Sequence, residues 1–173
     1  MNQTLTVFIV SIFLYSCSPL NHFKDRKGKD EVLTDNNYKL LDGKYLNSSI
    51  ESYYKIGTHL SNDKIYRAKD STVQFHPLDN KTIRLDFYHT DSITSSITVK
   101  GKYKHGYFKI NKYPINFIAG PLLWAIGNDI NYIGLTKSNN LVLLNYSVGA
   151  LFIVILPISI AGDQGEPEFR REN

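Results

Sequence analysis

The chain has 173 residues, enough for one domain with a sizeable core and too few for two ordinary ones. Its 42% apolar, 13% aromatic and 21% charged residues exclude a disordered chain, and 12 Tyr with 9 Phe lean towards strands. A net charge of +4, from 20 Lys and Arg against 16 Asp and Glu, is mild, and its clusters at Lys24 to Lys29 and Lys100 to Lys112 lack the dense stripe and the known module that nucleic-acid binding needs.

The first 16 residues carry no charge, and Leu5 to Leu14 form an apolar run broken only by Thr6 and Ser11. That is the length of a signal-peptide core and well short of the roughly 20 residues a membrane-spanning helix needs. Leu14-Tyr15-Ser16-Cys17 follows directly and resembles the bacterial lipobox, an apolar residue, a tolerant position, a small residue and then cysteine. The resemblance implies that diacylglycerol is transferred to the Cys17 thiol and that a signal peptidase cuts between Ser16 and Cys17. Cys17 is the only cysteine, so no intrachain disulfide or CxxC site can form. Acylation accounts for a lone thiol in an exported chain, and several acyl chains on one residue give a stable anchor. The expected location is the bacterial cell envelope, held by lipid at the outer membrane.

Residues 17–37, SPLNHFKDRKGKDEVLTDNN after the cysteine, are polar and aperiodic and read as an extended tether. The basic residues of Lys24 to Lys29 would lie beside the bilayer. From Tyr38 the pattern turns to strands. Thr72 to Phe75 alternates, and Thr82 to Tyr88 sets Ile83, Leu85 and Phe87 against Arg84, Asp86 and Tyr88. Ser92 to Lys100, Lys102 to Asn111 and Ile130 to Leu135 follow at intervals of about 10 residues, with turn chemistry at Asp79-Asn80, Lys104-His105-Gly106 and Ser138-Asn139-Asn140. One short helix fits near Ile50 to Leu60.

Pro114 to Gly127, PINFIAGPLLWAIG, holds the only Trp, and its two prolines and two glycines disfavour a regular helix. It reads as core closure or as a lid whose Phe117, Leu122, Leu123 and Trp124 contact an apolar ligand or a protein. Leu141 to Ala161 is long and apolar enough for a transmembrane helix, with Asn145, Gly149 and Pro157 inside it. Two strands bent at Gly149 are the favoured reading, because without this block the domain has a poor core. Residues 163–173 read as a polar tail, which bounds the β domain at 38–162.

Leu41-Asp-Gly-Lys-Tyr45, Gly101 to Ile110 (GKYKHGYFKI) and Gly134 to Val142 (GLTKSNNLV) together resemble the lipocalin-like lipoproteins of unknown function common in Bacteroidota. The resemblance spans about Tyr38 to Pro157, with Tyr45 where lipocalins proper carry Trp. It implies an all-β domain, an antiparallel up-and-down barrel or half-open barrel of about eight strands, and it implies no reaction.

No catalytic fingerprint is present. His22, His59, His76, His89 and His105 show no metal-ligand spacing, although His76 and His89 could meet Asp86 across a strand pair. Asp30-Glu31 and Glu166 with Glu168 read as solvated charge in linker and tail. The expectation is a lipid-anchored, non-enzymatic β module without metal or cofactor. It binds the membrane through Cys17 and, beyond that, either an envelope protein or, as a carrier, a small apolar molecule or lipid.

Overall fold

The computed structural model describes Phe23 and residues 26–50, 54–60, 71–118, 123–153, 156–163 and 166–172. It is an all-β, antiparallel fold. A 3-10 turn at Tyr38–Leu41 leads into β1 (Gly43–Leu46), and a single helical turn and a half, α1 (Ile56–Leu60), precedes β2 (Thr72–Pro77). Then come β3 (Thr82–His89), β4 (Ser92–Lys100), β5 (Lys102–Lys104), β6 (Tyr107–Ile118), β7 (Leu123–Leu135), β8 (Leu141–Ile153), β9 (Leu156–Asp163) and β10 (Glu168–Phe169).

The first sheet runs β1-β2-β3-β4 and the second β10-β8-β7-β6-β5, with β9 paired to the upper length of β8 beyond β10. The alternation expected for Thr82 to Tyr88 holds: Ile83, Leu85 and Phe87 are fully buried, and Arg84 is exposed on the other face. Lys102 to Asn111 is a hairpin, turning at the expected Lys104-His105-Gly106. Positive φ at His105 (56°) and Gly106 (86°) turns the chain there, which glycine tolerates without a Cβ clash.

Between the sheets lies one core. Tyr45, Val73, Phe75, Ile83, Leu85, Phe87 and Val99 of the first sheet meet Phe108, Ile110, Ile133, Leu135, Leu141, Leu143 and Phe169 of the second. On one side the chain itself joins the sheets, β4 passing into β5 through Gly101, where a Cβ would fall on the Lys109 carbonyl oxygen and 2.8 Å from the Phe108 ring. On the other side the C-terminal segment lies between them. Glu168 and Phe169 pair with Val142 and Leu141 of β8, while Leu46 N–H donates to the Arg170 carbonyl (2.9 Å) and Glu172 N–H to that of Lys44 (2.8 Å).

Two segments expected to lie outside the domain belong to it. Residues 26–37, placed in the tether from their polarity, are bonded to the second sheet and send Leu33, 1% exposed, into the core. Residues 166–172, expected as a loose tail, form the seam just described, with Phe169 fully buried. In each segment one apolar side chain finds the core and the backbone finds ladder partners, and this outweighs the surrounding polarity.

The described residues of Leu141 to Ala161 are strand, as favoured from sequence, but the bend expected at Gly149 is absent: β8 runs through Gly149, which pairs with Gly127 and Ile160, and β8 and β9 pair from Tyr146↔Asp163 to Ile153↔Leu156. Among the described residues no helix is long and apolar enough to cross a membrane. Pro114 to Gly127 also departs from the irregular lid considered for it. Its described residues continue β6 and β7 as a paired ladder, and the register shift between Asn111 and Pro114 is where a residue without an N–H is tolerated.

Candidate functional site: a clasp on the outer face of the second sheet

Strand alternation gives the second sheet a second buried face. Tyr107, Tyr132, Val142, Leu144 and Tyr146 point away from the core and form their own apolar cluster. Phe23 covers it, its ring 5.3 Å from Tyr107, 5.0 Å from Tyr132, 6.1 Å from Tyr146 and 5.2 Å from His105. Aromatic contacts of this kind add about 0.5–1.5 kcal/mol per pair beyond burial.

From Arg26 the chain crosses this end of the sheet as a strap. Glu31 N–H donates to the Leu135 carbonyl (2.8 Å), Leu33 N–H to that of Gly106 (2.9 Å), and Lys137 N–H to that of Lys29 (3.1 Å). The strap is therefore tied to the β5–β6 and β7–β8 turns.

Arg26 is the hub of the strap. Its Nε donates to Asp30 Oδ2 (2.6 Å) and its Nη2 to Asp30 Oδ1 (2.9 Å), a two-pronged fork. Nη1 reaches Glu166 (2.9 Å) and Nη2 also reaches Glu168 (3.2 Å), so the strap is latched to the C-terminal seam. The Tyr107 hydroxyl donates to Asp30 Oδ2 at 2.6 Å. Burial by itself favours a neutral guanidine, yet the bonds to Asp30, Glu166 and Glu168 hold Arg26 charged, above its ordinary pKa. The Tyr107 hydroxyl is pushed upward by burial first and by its bond to Asp30 second.

This arrangement holds elements together and offers no open chemistry. Nε, Nη1 and Nη2 of Arg26 all face carboxylates, so an anionic substrate would have to displace one of them. A cleft of about 100 Å³ lies against the strap, with Lys27, Gly28, His105 and Gly106 among its lining residues. Among the described residues no group of three or more His, Cys, Asp or Glu has a metal-holding arrangement.

A second polar cluster occupies the outer face of the first sheet. Asp86, 3% exposed, accepts from the Ser96 hydroxyl (2.6 Å) and lies 3.2 Å from His76 Nε2 and 3.1 Å from Arg84 Nη2. The anticipated meeting of His76 with Asp86 occurs; His89 lies at the far end of β3, opposite Ser92. The carboxylate stands between hydroxyl and imidazole, so His76 has no contact through which to take the Ser96 proton, and the order differs from a nucleophile–base relay.

Phe117 lies in β6 opposite Ala125, and Leu123 and Trp124 open β7, paired with Ile153 and Phe152 of β8. Leu122, Ser16 and Cys17 lie outside the described residues. The clasp is what sequence reasoning missed. Its traces were the four-residue spacing of Arg26 and Asp30, and the spacing of Glu166 and Glu168 by two, which puts both on one side of a strand.

No family model, curated protein or solved structure matches the chain.

Proposed function

We propose that this chain is a bacterial envelope lipoprotein, cleaved behind Ser16 and lipidated on Cys17, whose β domain acts without catalysis as an interaction or assembly module. The observation that carries the reading is the filled interior. Among the described residues, Tyr45, Phe75, Phe87, Phe108 and Phe169 are all fully buried between the sheets, so this part of the domain offers surface rather than a hollow to its partners. This favours a protein partner over a carried apolar ligand, which needs an open cavity of several hundred Å³.

Within the same reading the two sheets are halves of one lipocalin-like, half-open barrel. Support comes from the two junctions, the passage of β4 into β5 at Gly101 and the C-terminal segment bonded to both β8 and β1. The ladder of β6 to β9, rich in apolar residues in sequence, is the candidate contact element, with Phe117, Leu123 and Trp124 on it.

Two experiments test the proposal. A photoreactive residue replacing Trp124 in intact cells should give a specific protein adduct that the same residue at exposed Thr98, on the outer face of the first sheet, does not. Identical adduct patterns from both positions would refute the contact element. For the anchor, Cys17→Ser should abolish palmitate incorporation and leave the precursor uncut; unchanged labelling would refute lipidation.

A further inference from the structure

The outer face of the second sheet is basic along its free edge. Tyr103 of β5 packs against the core, so its neighbours Lys102 and Lys104 point outward, and register places Lys102 opposite Lys109. Lys102 and Lys104 are exposed. Among the described residues none of the three lysines has a carboxylate within ion-pair distance. Asp30, Glu166 and Glu168, the carboxylates of the neighbouring clasp, are bonded to Arg26. Lys109 is held below its ordinary pKa, by partial burial first and then by repulsion from Lys104 and Lys102, which marks three like charges gathered without compensation.

This edge adjoins Phe23, the first described residue after Cys17 in the sequence. Lys109 Nζ stands 6.0 Å from the Tyr132 ring centre, and that ring is 5.0 Å from Phe23. His105, next to Lys104, is itself against Phe23. Phe23 is six positions from Cys17, and six residues span at most about 20 Å when fully extended. A lipid on Cys17 thus lets this face reach the bilayer, where the field of anionic headgroups is felt within about a Debye length of roughly 8–10 Å.

We propose that the edge formed by Lys102, Lys104 and Lys109 docks on the anionic headgroups of the bilayer that holds Cys17, turning the second sheet towards the membrane and the first sheet away. The docking rests on the reading that Cys17 is lipidated. Each lysine near such a surface is worth about fivefold in the docked population, so three give on the order of a hundredfold.

The test uses the full chain after lipidation and processing, in which Cys17 is consumed and an introduced cysteine is the only free thiol. A fluorophore on His105→Cys, or on Thr98→Cys as the reference, is read for quenching by headgroup nitroxides. The vesicles are pure phosphatidylcholine or contain about a third phosphatidylglycerol. Quenching at 105 should rise on the anionic vesicles and exceed that at 98. It should fall to the phosphatidylcholine level in the Lys102→Gln, Lys104→Gln, Lys109→Gln variant. Raising salt to about 0.5 M should give the same loss in the unsubstituted chain, which keeps the test decisive if the variant folds poorly. Flotation with either vesicle reports the anchor separately. Normal flotation with quenching at 105 indifferent to lipid or to salt would overturn the docking alone. Absent flotation on both would overturn the anchoring and the docking with it.

Discussion

Arg26 shows how one residue can define the edge of a domain. A guanidinium with a side chain only 8% exposed is tolerable because Asp30 takes it in a fork and Glu166 and Glu168 accept two further bonds, so four of its five N–H groups face carboxylates. Removing it leaves Asp30, whose side chain is 5% exposed, with the Tyr107 hydroxyl alone. Breaking a buried pair from one side typically costs about 3–5 kcal/mol. Glu166 and Glu168 are partly exposed and rehydrate, so Arg26→Ala should lie near the lower end, at about 3 kcal/mol in urea unfolding. Arg26→Lys keeps the charge but not the fork and should fall between. An Arg26→Ala loss below about 1 kcal/mol would mean the clasp does not secure the strap. None of this was readable as a site beforehand. Arg26 and Asp30 sit in a run of charge that normally is solvated, and the residues that bury them lie about 80 and 140 positions away.

At the scale of elements, what the sequence made legible was whatever repeats locally. Thr82 to Tyr88 alternates and Ser92 to Lys100 is β-branched, and both are strands at nearly the expected limits. The strand reading of Leu141 to Ala161, reached because the domain has a poor core without that block, holds for its described residues, whereas Gly149, expected to mark a bend, pairs in mid-ladder with Gly127 and Ile160. The seam was illegible for the opposite reason: β10 has two residues, too few for a period, and its partners in β1 and β8 are distant in sequence. Its importance is testable. Phe169→Ala should cost about 3–5 kcal/mol, as truncation of a fully buried ring does. Deleting 166–173 should release the amides of Leu46, Ile50 and Leu143, which donate to the carbonyls of Arg170, Glu168 and Pro167, to fast hydrogen exchange. Undiminished protection at those three amides would show that the sheets close without the seam.

Over the whole molecule the 12 tyrosines make alkaline pH a probe of both cores at once. Burial pushes Tyr45, in the core between the sheets, up to about 12 from its ordinary value of 10.0. Burial also raises Tyr103, packed against that core, and Tyr107 and Tyr132 on the clasp face. In each case the fold favours the neutral phenol, while the unfolded chain ionises near pH 10. The folded state then holds more protons than the unfolded one above that point, so unfolding free energy falls as pH rises. The stabilisation is complete below about pH 10 and is lost progressively towards and beyond pH 12, with Tyr45 alone accounting for up to about 3 kcal/mol. Denaturant midpoints should accordingly be independent of tyrosine ionisation up to about pH 10 and drop steeply above it. Tyrosinate absorbance should rise in two stages. Exposed phenols titrate first with the strand circular dichroism intact, and the buried ones ionise together with its loss. Tyr45→Phe, which keeps the ring against Phe75 and removes the ionisable group, should make the alkaline decline shallower. A single titration of all tyrosines near pH 10 with the sheet signal preserved would contradict the burial of both cores.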